Sequence, residues 1–567
     1  MKRLRLVLVL LLLVVLLIGA WLWLGVPGRV DLADYAPADA FVYVEFNSLA
    51  DVVRAIQQTD AWKAAAPITH SKPANESRLL TAAARAGIGP IESVLFARTQ
   101  VALVVVGLNT IEEDQTLKLR PEIALIAETH TSRWRTKPVM MDVVRRLTNY
   151  TYGASQCVGP NGDGDRFECW LPGGDRKLIG VIQGTAIILA NSDTALASCL
   201  DVRKGTRPSL RSDSEFAGVR SSVVTPQSLG FGYVSSTNSP KLFSWAAPWL
   251  TGFGAGDQQM QQLFATSAGK ILRGLAWTAS PSNGGIEDRF LFPLEPGVVT
   301  RLQPAFNGAA RDENLWKLVP DSFESLTIYR SREPAAAWNS LDAVVSYKLD
   351  ALAAALYGTV FKAGLLNYGI SNPKETLATL NPPLFTMKTS AVSEGSVLLA
   401  RVADEARFRR SLEAEVFAAS KGQILQGLQT DPDATKEYTA VFADGYMILG
   451  KTENVRACLV ELRKNQVSGD KKRVQDAARE STAAIVTYAN DEARLTSFIS
   501  TFLLLQGRRL SSDELVQLQN TLGSGFATTE TRLSAAGIER KTHSAFGQFG
   551  TLAALLQSAS QNSVAHR

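Results

Sequence analysis

Hydrophobic and polar positions follow the same order in two long stretches of this chain. Each stretch begins with a strand pattern and a helix pattern, has a strand–turn–helix unit in its middle, and ends with a strand pattern around Gly-Ile-Glu. Matching residues occur in the same order, with Gly87, Cys199, Tyr233 and Gly285 in the first stretch and Gly369, Cys458, Tyr488 and Gly537 in the second. The separation between matched residues shrinks along the chain. We therefore predict a tandem duplication with one longer loop in the first copy.

The two copies open with the same pattern. Residues 41–46 and 326–329 are rich in alternating β-branched and aromatic side chains, which predicts a strand in each copy. Ser48 and Asp51 resemble a capping box at the start of the first helix. Pro334 stands in the first turn of the corresponding helix of the second copy, where proline is tolerated. Each copy is therefore expected to begin with a strand that leads into a helix.

The middle units match most closely. Residues 186–189 and 446–449 predict strands, and a polar turn follows each of them. Cys199 and Cys458 then occupy the same position in the apolar stripe of the two following helices. Because a free cysteine packs as a small hydrophobe, we expect both thiols to be buried.

The predicted fold is an N-terminal transmembrane helix followed by two tandem homologous α+β domains. Each domain is expected to have a mostly antiparallel sheet flanked by helices, because hairpin turns join its strands and single helices interrupt them. The domains are predicted at residues 33–292 and 320–550. A linker rich in proline and glycine is predicted at 293–319, and a disordered tail at 551–567.

The transmembrane helix is predicted from residues 6–24, which contain neither a charge nor a proline. Such a helix is roughly 28 Å long, enough to cross the hydrocarbon core of a bilayer. Three cations precede it, which predicts a cytoplasmic N-terminus and an uncleaved anchor over residues 1–28. Trp21 and Trp23 are expected at the membrane interface. A cleaved signal peptide is the alternative, although its apolar part is usually shorter and ends in small residues.

Composition narrows the partners and the compartment. The net charge of +5 is small for 567 residues, and acidic and basic residues are interspersed. Nucleic acid is therefore not expected as a partner, because binding it needs a clustered basic surface. Four cysteines are too few for a disulfide-built scaffold. Cys157 and Cys169 flank a turn-rich stretch and would face each other across a hairpin, which predicts a disulfide in an oxidising compartment. Two separate thiols are the alternative.

Three features carry a resemblance to known proteins. They are the N-terminal apolar run, the Tyr-Ala-Pro-Ala-Asp-Ala-Phe-Val-Tyr opening at 35–43, and the Ile-Ile-Leu-Ala-Asn-Ser-Asp unit at 187–193. With them the chain resembles, over most of its length, a family of bacterial membrane-anchored extracytoplasmic proteins known only as a domain of unknown function. The resemblance implies a single-pass protein of the bacterial cytoplasmic membrane with its bulk in the periplasm. It brings no catalytic residues.

Residue types that carry chemistry are sparse and scattered. His70, His130, His543 and His566 are far apart, and no two of them have the spacing that a helix uses to bind metal. The Gly-Lys pair at 269–270 is followed by isoleucine instead of the hydroxyl residue of a phosphate loop. No catalytic, cofactor-binding or metal-binding residue is therefore predicted.

Two acidic patterns each have a structural explanation. Residues 161–165 alternate like calcium ligands, but the glycine and glutamate that complete a calcium loop are missing, which favours a solvated hairpin tip. Glu45, Glu287 and Glu539 could form paired carboxylates. Alternation along a strand explains them equally well as the polar face of a half-buried sheet.

Two dense apolar segments are the candidates for a binding surface. Their aromatic residues are Phe243, Trp245, Trp249 and Phe253 in the first copy and Phe498 and Phe502 in the second. One interpretation is a pair of core helices packed between the domains. The other is an exposed patch for a lipid, a peptide or the bilayer surface, since large exposed apolar patches usually mark interaction sites.

These observations lead to a functional hypothesis with two alternatives. The leading hypothesis is a non-enzymatic membrane-anchored envelope protein that binds or organises another envelope component, with the bilayer and an envelope protein or lipid as partners. The first alternative is an extracytoplasmic hydrolase whose site lies at the domain junction. The second is a carrier or chaperone for lipid or other apolar ligands.

Overall fold

The computed structural model describes residues 28–551 apart from several gaps. The gaps are residues 70–83, 85–89, 114–115, 153–155, 159–165, 171–176, 242–257, 309, 367, 391–394, 413–415, 421–436, 464–468, 506–507, 509 and 523–524. The predicted anchor with Trp21 and Trp23 and nearly all of the predicted tail at 551–567 lie outside the described residues.

None of the helices in the described ranges is both long enough and apolar enough to cross a membrane. The longest, Arg133–Tyr152, has 20 residues but carries charged side chains along its length. For the part of the chain that the structure describes, the prediction of a membrane-spanning helix was therefore wrong. Residues 6–24, where this helix was predicted, are not among the described residues.

The sheet of the first half consists of ten strands. They are β1 (Val42–Phe46), β2 (Gln100–Glu113), β3 (Thr116–Glu128), β4 (Gln156–Val158), β5 (Arg166–Trp170), β6 (Lys177–Gln183), β7 (Ala186–Ala190), β8 (Gly230–Val234), β9 (Leu275–Ser282) and β10 (Gly285–Pro293). The second half adds β11 (Ser325–Tyr329), β12 (Leu380–Lys388), β13 (Val397–Val402), β14 (Val416–Ser420), β15 (Tyr438–Ala443), β16 (Tyr446–Lys451), β17 (Ile485–Asn490), β18 (Phe526–Ser534) and β19 (Gly537–Ser544).

The helices are distributed along both halves. The first half contains α1 (Leu49–Gln58), α2 (Asp60–Thr69), α3 (Ile91–Arg98), α4 (Arg133–Tyr152), α5 (Asp193–Arg203), α6 (Ser214–Val223), α7 (Gln258–Ile271) and α8 (Pro296–Phe306). The second half contains α9 (Pro334–Lys348), α10 (Ala351–Leu366), α11 (Pro373–Leu377), α12 (Glu405–Ser411), α13 (Thr452–Arg463), α14 (Gly469–Glu480), α15 (Glu492–Leu505) and α16 (Ser512–Leu522). Three short 3₁₀ helices are Leu32–Asp34, Leu210–Ser212 and Leu315–Leu318.

All these strands belong to one continuous 19-stranded sheet. Across it the order is β4-β5-β6-β7-β3-β2-β1-β8-β9-β10 and then β19-β18-β17-β11-β12-β13-β16-β15-β14. Every neighbouring pair is antiparallel except β14 and β15, which are parallel.

The two halves repeat the same strand order outward from the central β10–β19 pair. Reading away from the centre, β10, β9, β8, β1, β2, β3, β7 and β6 correspond to β19, β18, β17, β11, β12, β13, β16 and β15. Gly285 and Gly537 begin the two central strands, so Arg289 and Lys541 occupy equivalent positions, and they lie directly opposite each other. The sheet therefore has an approximate twofold axis between these two residues.

The two halves, which were predicted as tandem domains with mostly antiparallel sheets, share a single sheet. β10 and β19 pair from Ile286 and Ser544 to Pro293 and Gly537, which joins the two halves into one sheet. The alternation of a strand tells which side chains are buried, but it does not tell which strand is left at an edge. The segment predicted as a linker at 293–319 contains α8 and the 3₁₀ helix Leu315–Leu318.

Local sequence signals explain where the elements begin and turn. Ser48 caps α1 by accepting the Asp51 N–H, and Ser192 caps α5 by accepting the Ala195 N–H, at 3.2 and 3.1 Å. Asn283 has a φ of 40°, and Gly284, with a φ of 76°, follows it in the β9–β10 turn. Two successive positive φ angles form the hairpin turn whose twist matches that of antiparallel strands.

The two faces of the sheet are covered in different ways. On the first face α5 and α6 cover one half and α13 and α14 the other, and each half has its own core. Cys199 and Tyr233 lie in one of these cores, and Cys458 and Tyr488 lie in the other. On the second face helices of the two halves share their cores. α1 and α2 pack with α15 and α16, and α7 packs with α9 and α10.

Candidate binding surface

The predicted aromatic surface of the second half is part of a core. The ring of Phe498 stacks on Phe546 with centroids 4.3 Å apart, and Phe502 contacts the Trp62 ring edge to face at 4.8 Å. Phe498 is only 7% exposed. These side chains therefore hold α15 against α2 of the other half. Their predicted counterparts, Phe243, Trp245, Trp249 and Phe253, lie outside the described residues.

The four cysteines form one disulfide and two buried thiols. Cys157 and Cys169 lie opposite each other in β4 and β5 and are joined by a disulfide. Cys199 and Cys458 are free and buried. Burial raises the pKa of each of these two thiols to about 12, so neither is a thiolate at neutral pH.

Two of the three strand glutamates lie at the centre of the sheet but are not cross-strand partners. Glu287 lies opposite His543, and Glu539 lies opposite Leu291. Glu539 Oε1 is 2.6 Å from Arg289 Nε and 3.7 Å from Lys541 Nζ. The ion pair with Arg289 connects β10 to β19, and both cations together give the Glu539 carboxylate a structural role.

The third glutamate, Glu45, belongs to a buried ion-pair network. It accepts hydrogen bonds from the Tyr43 hydroxyl and from Arg220, each at 2.6 Å, and Arg220 also binds both carboxylate oxygens of Asp31 at 2.9 Å. Burial raises the pKa of Glu45, and the Arg220 charge opposes that rise. Tyr43 pairs with Tyr233 as Leu326 pairs with Tyr488. The position equivalent to Glu45 is therefore Ile328, so the second half folds without this charge.

The best candidate for a binding site is the turn between β3 and α4. Its threonines are buried and bind one another or nearby carbonyls: the Thr129 hydroxyl donates to the Thr185 carbonyl at 2.8 Å, and the Thr131 hydroxyl to the Thr129 carbonyl at 3.0 Å. The Thr136 hydroxyl donates to the Thr131 carbonyl at 3.2 Å. Because each buried hydroxyl has a partner, the network fixes the start of α4.

His130 strengthens this turn in an uncommon backbone conformation. Its φ is 49°, its N–H donates to Glu128 Oε1 at 3.0 Å, and its Nε2 lies 2.8 Å from Gln100 Oε1. Gln100 Oε1 also accepts the Val30 N–H, so it acts as an acceptor and Nε2 of the histidine is the donor. The Tyr35 hydroxyl holds the other Glu128 oxygen at 3.0 Å. Backbone outliers of this kind persist where the surrounding contacts determine them.

Burial and charge both act on His130 and on its neighbour Arg98. Burial lowers the pKa of His130; the Glu128 carboxylate acts to raise it, and Arg98 acts to lower it. Arg98, at the end of α3, donates to the His130 carbonyl at 3.3 Å. Burial and then the Arg135 charge lower the pKa of Arg98. The two guanidinium groups of Arg98 and Arg135 are thus held near each other.

Above this network an aromatic ring stands out into solvent. Trp134 is 72% exposed, the largest value among the exposed large hydrophobic side chains of the described chain, and the Arg135 guanidinium lies 5.2 Å from its ring centroid. On α3, Phe96 is 44% exposed. We call this region the aromatic–basic surface, and its residues are Arg98, Trp134 and Arg135.

Farther along its length, α4 is packed inside the protein. Met140, Met141 and Val144 pack in a core with residues of β5, β6 and β7. The aromatic–basic surface therefore lies at the start of a helix that is anchored farther along. An exposed tryptophan among cations can bind an anionic group and an apolar face at the same time.

Sequence reasoning did not single out this surface. The signal was the Arg-Trp-Arg-Thr-Lys run at residues 133–137, in which cations flank a tryptophan. Among the described residues no group of three or more histidine, cysteine, aspartate or glutamate side chains could hold a metal ion. Comparison of the chain with models of protein families, with curated protein sequences and with solved structures gave no match.

Proposed function

We propose that the protein is a non-enzymatic binding protein of the bacterial envelope, which acts outside the cytoplasm and holds an anionic envelope component on its aromatic–basic surface. The disulfide between Cys157 and Cys169 supports an oxidising compartment. The positive charge of the surface supports an anionic partner through charge complementarity.

The exposure of Trp134 is the observation that carries this proposal. A soluble protein gains nothing in folding from a large ring that is 72% exposed. Here the ring stands beside a turn whose buried threonines and His130 make hydrogen bonds to neighbouring groups. Tryptophan and arginine are also the residue types that contribute most to binding free energy at interfaces. A rigid mount under an exposed ring is typical of a binding site that is organised before its ligand arrives.

The alternatives gain less support. The carboxylate Glu539 at the junction of the halves is engaged by Arg289 and Lys541, which favours a structural role over hydrolysis. Phe498 and Phe502 pack between helices, so they do not line a site for an apolar cargo. We therefore propose no second function.

The test is recovery of envelope material on the immobilised protein. Wild type is compared with the Trp134→Ala/Arg135→Ala variant and with a matched control, Leu352→Ala/Lys472→Ala, which removes an exposed apolar side chain and an exposed cation elsewhere. Wild type and control are expected to retain an anionic component from a detergent-treated envelope fraction. The Trp134→Ala/Arg135→Ala variant should retain about tenfold less. Equal recovery on all three proteins would refute the proposal.

A further inference from the structure

We infer that a pocket lined by Arg311 and Arg330 in the second half of the chain binds the carboxylate of an apolar acid. The pocket belongs to other elements than the aromatic–basic surface, which lies in the first half. It combines a buried guanidinium, a second guanidinium that is exposed, and an apolar wall.

Arg330 directly follows β11 and is a buried cation. Its side chain is 3% exposed, and its guanidinium donates to the Ala478 and Ser481 carbonyls at the end of α14. A guanidinium has five N–H groups, and the others of Arg330 have no acceptor among the described residues. The group is therefore held in place by the end of a helix and keeps donors for a ligand.

The charge of Arg330 lacks a counter-ion. A helix end offers only about half of a negative charge, and no carboxylate of the described ranges forms an ion pair with this guanidinium. Glu530 acts on it electrostatically but accepts the Ser481 hydroxyl at 2.5 Å. Burial lowers the pKa of Arg330, and the Arg311 charge acts in the same direction. Buried charges are normally paired, so an anion would complete this site.

Arg311 is the second cation that lines the pocket. Its side chain is exposed, and its guanidinium makes neither an ion pair nor a hydrogen bond within the described part of the chain. The acids beside it have other partners: Glu313 lies 2.7 Å from Arg479, and Asp312 accepts the Tyr446 hydroxyl at 3.0 Å. Charge complementarity therefore favours an anionic ligand between Arg311 and Arg330.

The size and the wall of the pocket indicate which anion fits. The space is about 20 Å³ and is partly open to solvent, so it admits one compact group while the rest of the ligand stays outside. Its buried apolar wall is formed by Trp316, Ile328, Pro383 and Phe385. A carboxylate matches the fork of a guanidinium, and the carbon atoms next to it would contact this wall. A phosphate, with its additional oxygen atoms, needs more room.

The fold shared by the two halves does not require the buried arginine. Leu326 is equivalent to Tyr43, so the position equivalent to Arg330 is Asn47 in the first half. A neutral side chain thus follows the matching strand there. The cation belongs to the second half alone, which favours a role in binding over a role in forming the sheet.

The test measures recognition of the carboxylate by the full chain. Isothermal titration calorimetry uses the peptide N-acetyl-Ala-Ala-Val with a free carboxylate, the same peptide as its C-terminal amide, isovalerate and inorganic phosphate. The peptide acid and isovalerate are two sources of the same chemistry, and the tighter binder identifies the source. We expect a carboxylate probe to bind, and the amide to bind at least about tenfold more weakly than the peptide acid.

Three variants locate the ligand. Arg330→Gln is expected to abolish binding, and Arg311→Ala to weaken it by about tenfold. Because Arg311 is exposed, its variant decides the question if the buried substitution unfolds the chain, and unchanged thermal unfolding shows that its fold is intact. The matched control is Lys317→Ala, which removes an exposed cation that does not line the pocket and should leave binding unchanged.

Several results would overturn the carboxylate pocket. They are equal binding of the peptide acid, isovalerate and the amide, carboxylate binding that is unaffected by Arg311→Ala, and no carboxylate binding up to about 10 mM. Phosphate that binds more tightly than both carboxylates, with the same loss in Arg311→Ala, would overturn it in favour of a phosphate site. None of these results affects the envelope recovery experiment, which depends on Trp134 and Arg135.

Discussion

Arg289 and Lys541 lie opposite each other in the central strand pair and occupy equivalent positions in the two halves of the chain. Both cations approach Glu539, with the Arg289 nitrogen at 2.6 Å and the Lys541 nitrogen at 3.7 Å. The axis that relates the halves therefore passes through an ion-pair cluster, while the apolar contacts between the halves lie on the second face of the sheet.

Removing the charge at this axis should have little effect on stability. Partly exposed ion pairs contribute about 1 kcal/mol or less to stability, because water weakens the attraction between the two charges and also solvates each charge when the pair is broken. We expect Glu539→Gln to lower the free energy of unfolding by no more than about that amount in urea titrations. A loss several times larger would mean that the ion pairs, and not the apolar contacts, hold the halves together.

Truncating the ring of Phe498 should have a much larger effect. Its side chain lies in the core shared by α1, α2, α15 and α16, and a phenylalanine truncated to alanine in a core typically costs about 3–5 kcal/mol. We expect Phe498→Ala to show this loss in urea unfolding followed by far-UV circular dichroism, while Leu352→Ala, at a site 68% exposed, changes little. Since the halves share this core, wild type should unfold in one transition. Two separated transitions would contradict the shared core.

Asp288 should make stability fall as the pH rises. Its carboxyl is fully buried, accepts the Trp277 ring N–H at 2.8 Å and the Gln548 N–H at 2.9 Å, and burial raises its pKa to about 7. An aspartate in the unfolded chain has a pKa of about 3.9, so between these values the folded state holds a proton that the unfolded state has lost. The stabilisation is complete below pH 4 and disappears as the pH rises through 7.

The measurement for Asp288 is a difference between two proteins. Urea unfolding of wild type and Asp288→Asn from pH 4 to 8 cancels the contributions of groups that do not interact with Asp288, such as Glu45. Wild type should lose up to about 4 kcal/mol relative to the variant across this range. A difference that does not change with pH would show that Asp288 keeps an ordinary pKa.

His130 should act in the opposite direction. Its pKa in the folded protein is lowered, chiefly by burial, so on acidification the unfolded chain takes up the proton first. The stability that His130 contributes is present above its ordinary pKa of about 6.5 and is lost as the pH falls below it. His130→Asn, which tolerates the positive φ, should lose less stability than wild type between pH 7 and 5 in thermal unfolding. Parallel curves for the two proteins would contradict the assignment.

Thiol reactivity should report the state of the cysteines. Cys199 and Cys458 are buried with pKa values of about 12, so neither should react with a thiol reagent in the native protein at pH 8. Unfolding in guanidinium should expose these two, and reduction should release Cys157 and Cys169 as well. Mass spectrometry after alkylation counts the modified sites. Alkylation of Cys157 without a reductant would contradict the disulfide.

Local patterns in the sequence predict single strand–turn–helix units of this fold, but not how the units pair. The strand pattern at 186–189 corresponds to β7, Ala186–Ala190, and the cap that follows it starts α5. Both features depend on side chains a few residues apart, through burial alternation and a Ser192 hydrogen bond. The pairing of β10 with β19 depends on residues far apart in sequence, so no local pattern encodes it.

The candidate binding surface could not be predicted from the sequence for a similar reason. A tryptophan in a sequence is more often buried than exposed, and only the tertiary packing shows that Trp134 faces solvent. The partners of His130, such as Gln100 and Val30, come from other elements. For residues 498–502 the composition left both a core helix and an exposed surface open, and tertiary packing buries Phe498.

The pairing of β10 with β19 also determines how a fragment that contains only one half of the chain should behave. In a fragment that stops after β10, the backbone N–H and C=O groups on one side of that strand would have no partner strand. Phe46 and Trp277 would also lose their contacts with Phe549 and α15 and become exposed. Such an unpaired, apolar strand edge is a template on which chains pair and form insoluble aggregates. Neither half is therefore expected to stay folded and soluble without the other. Proteolysis between the halves should yield aggregated fragments instead of two folded domains.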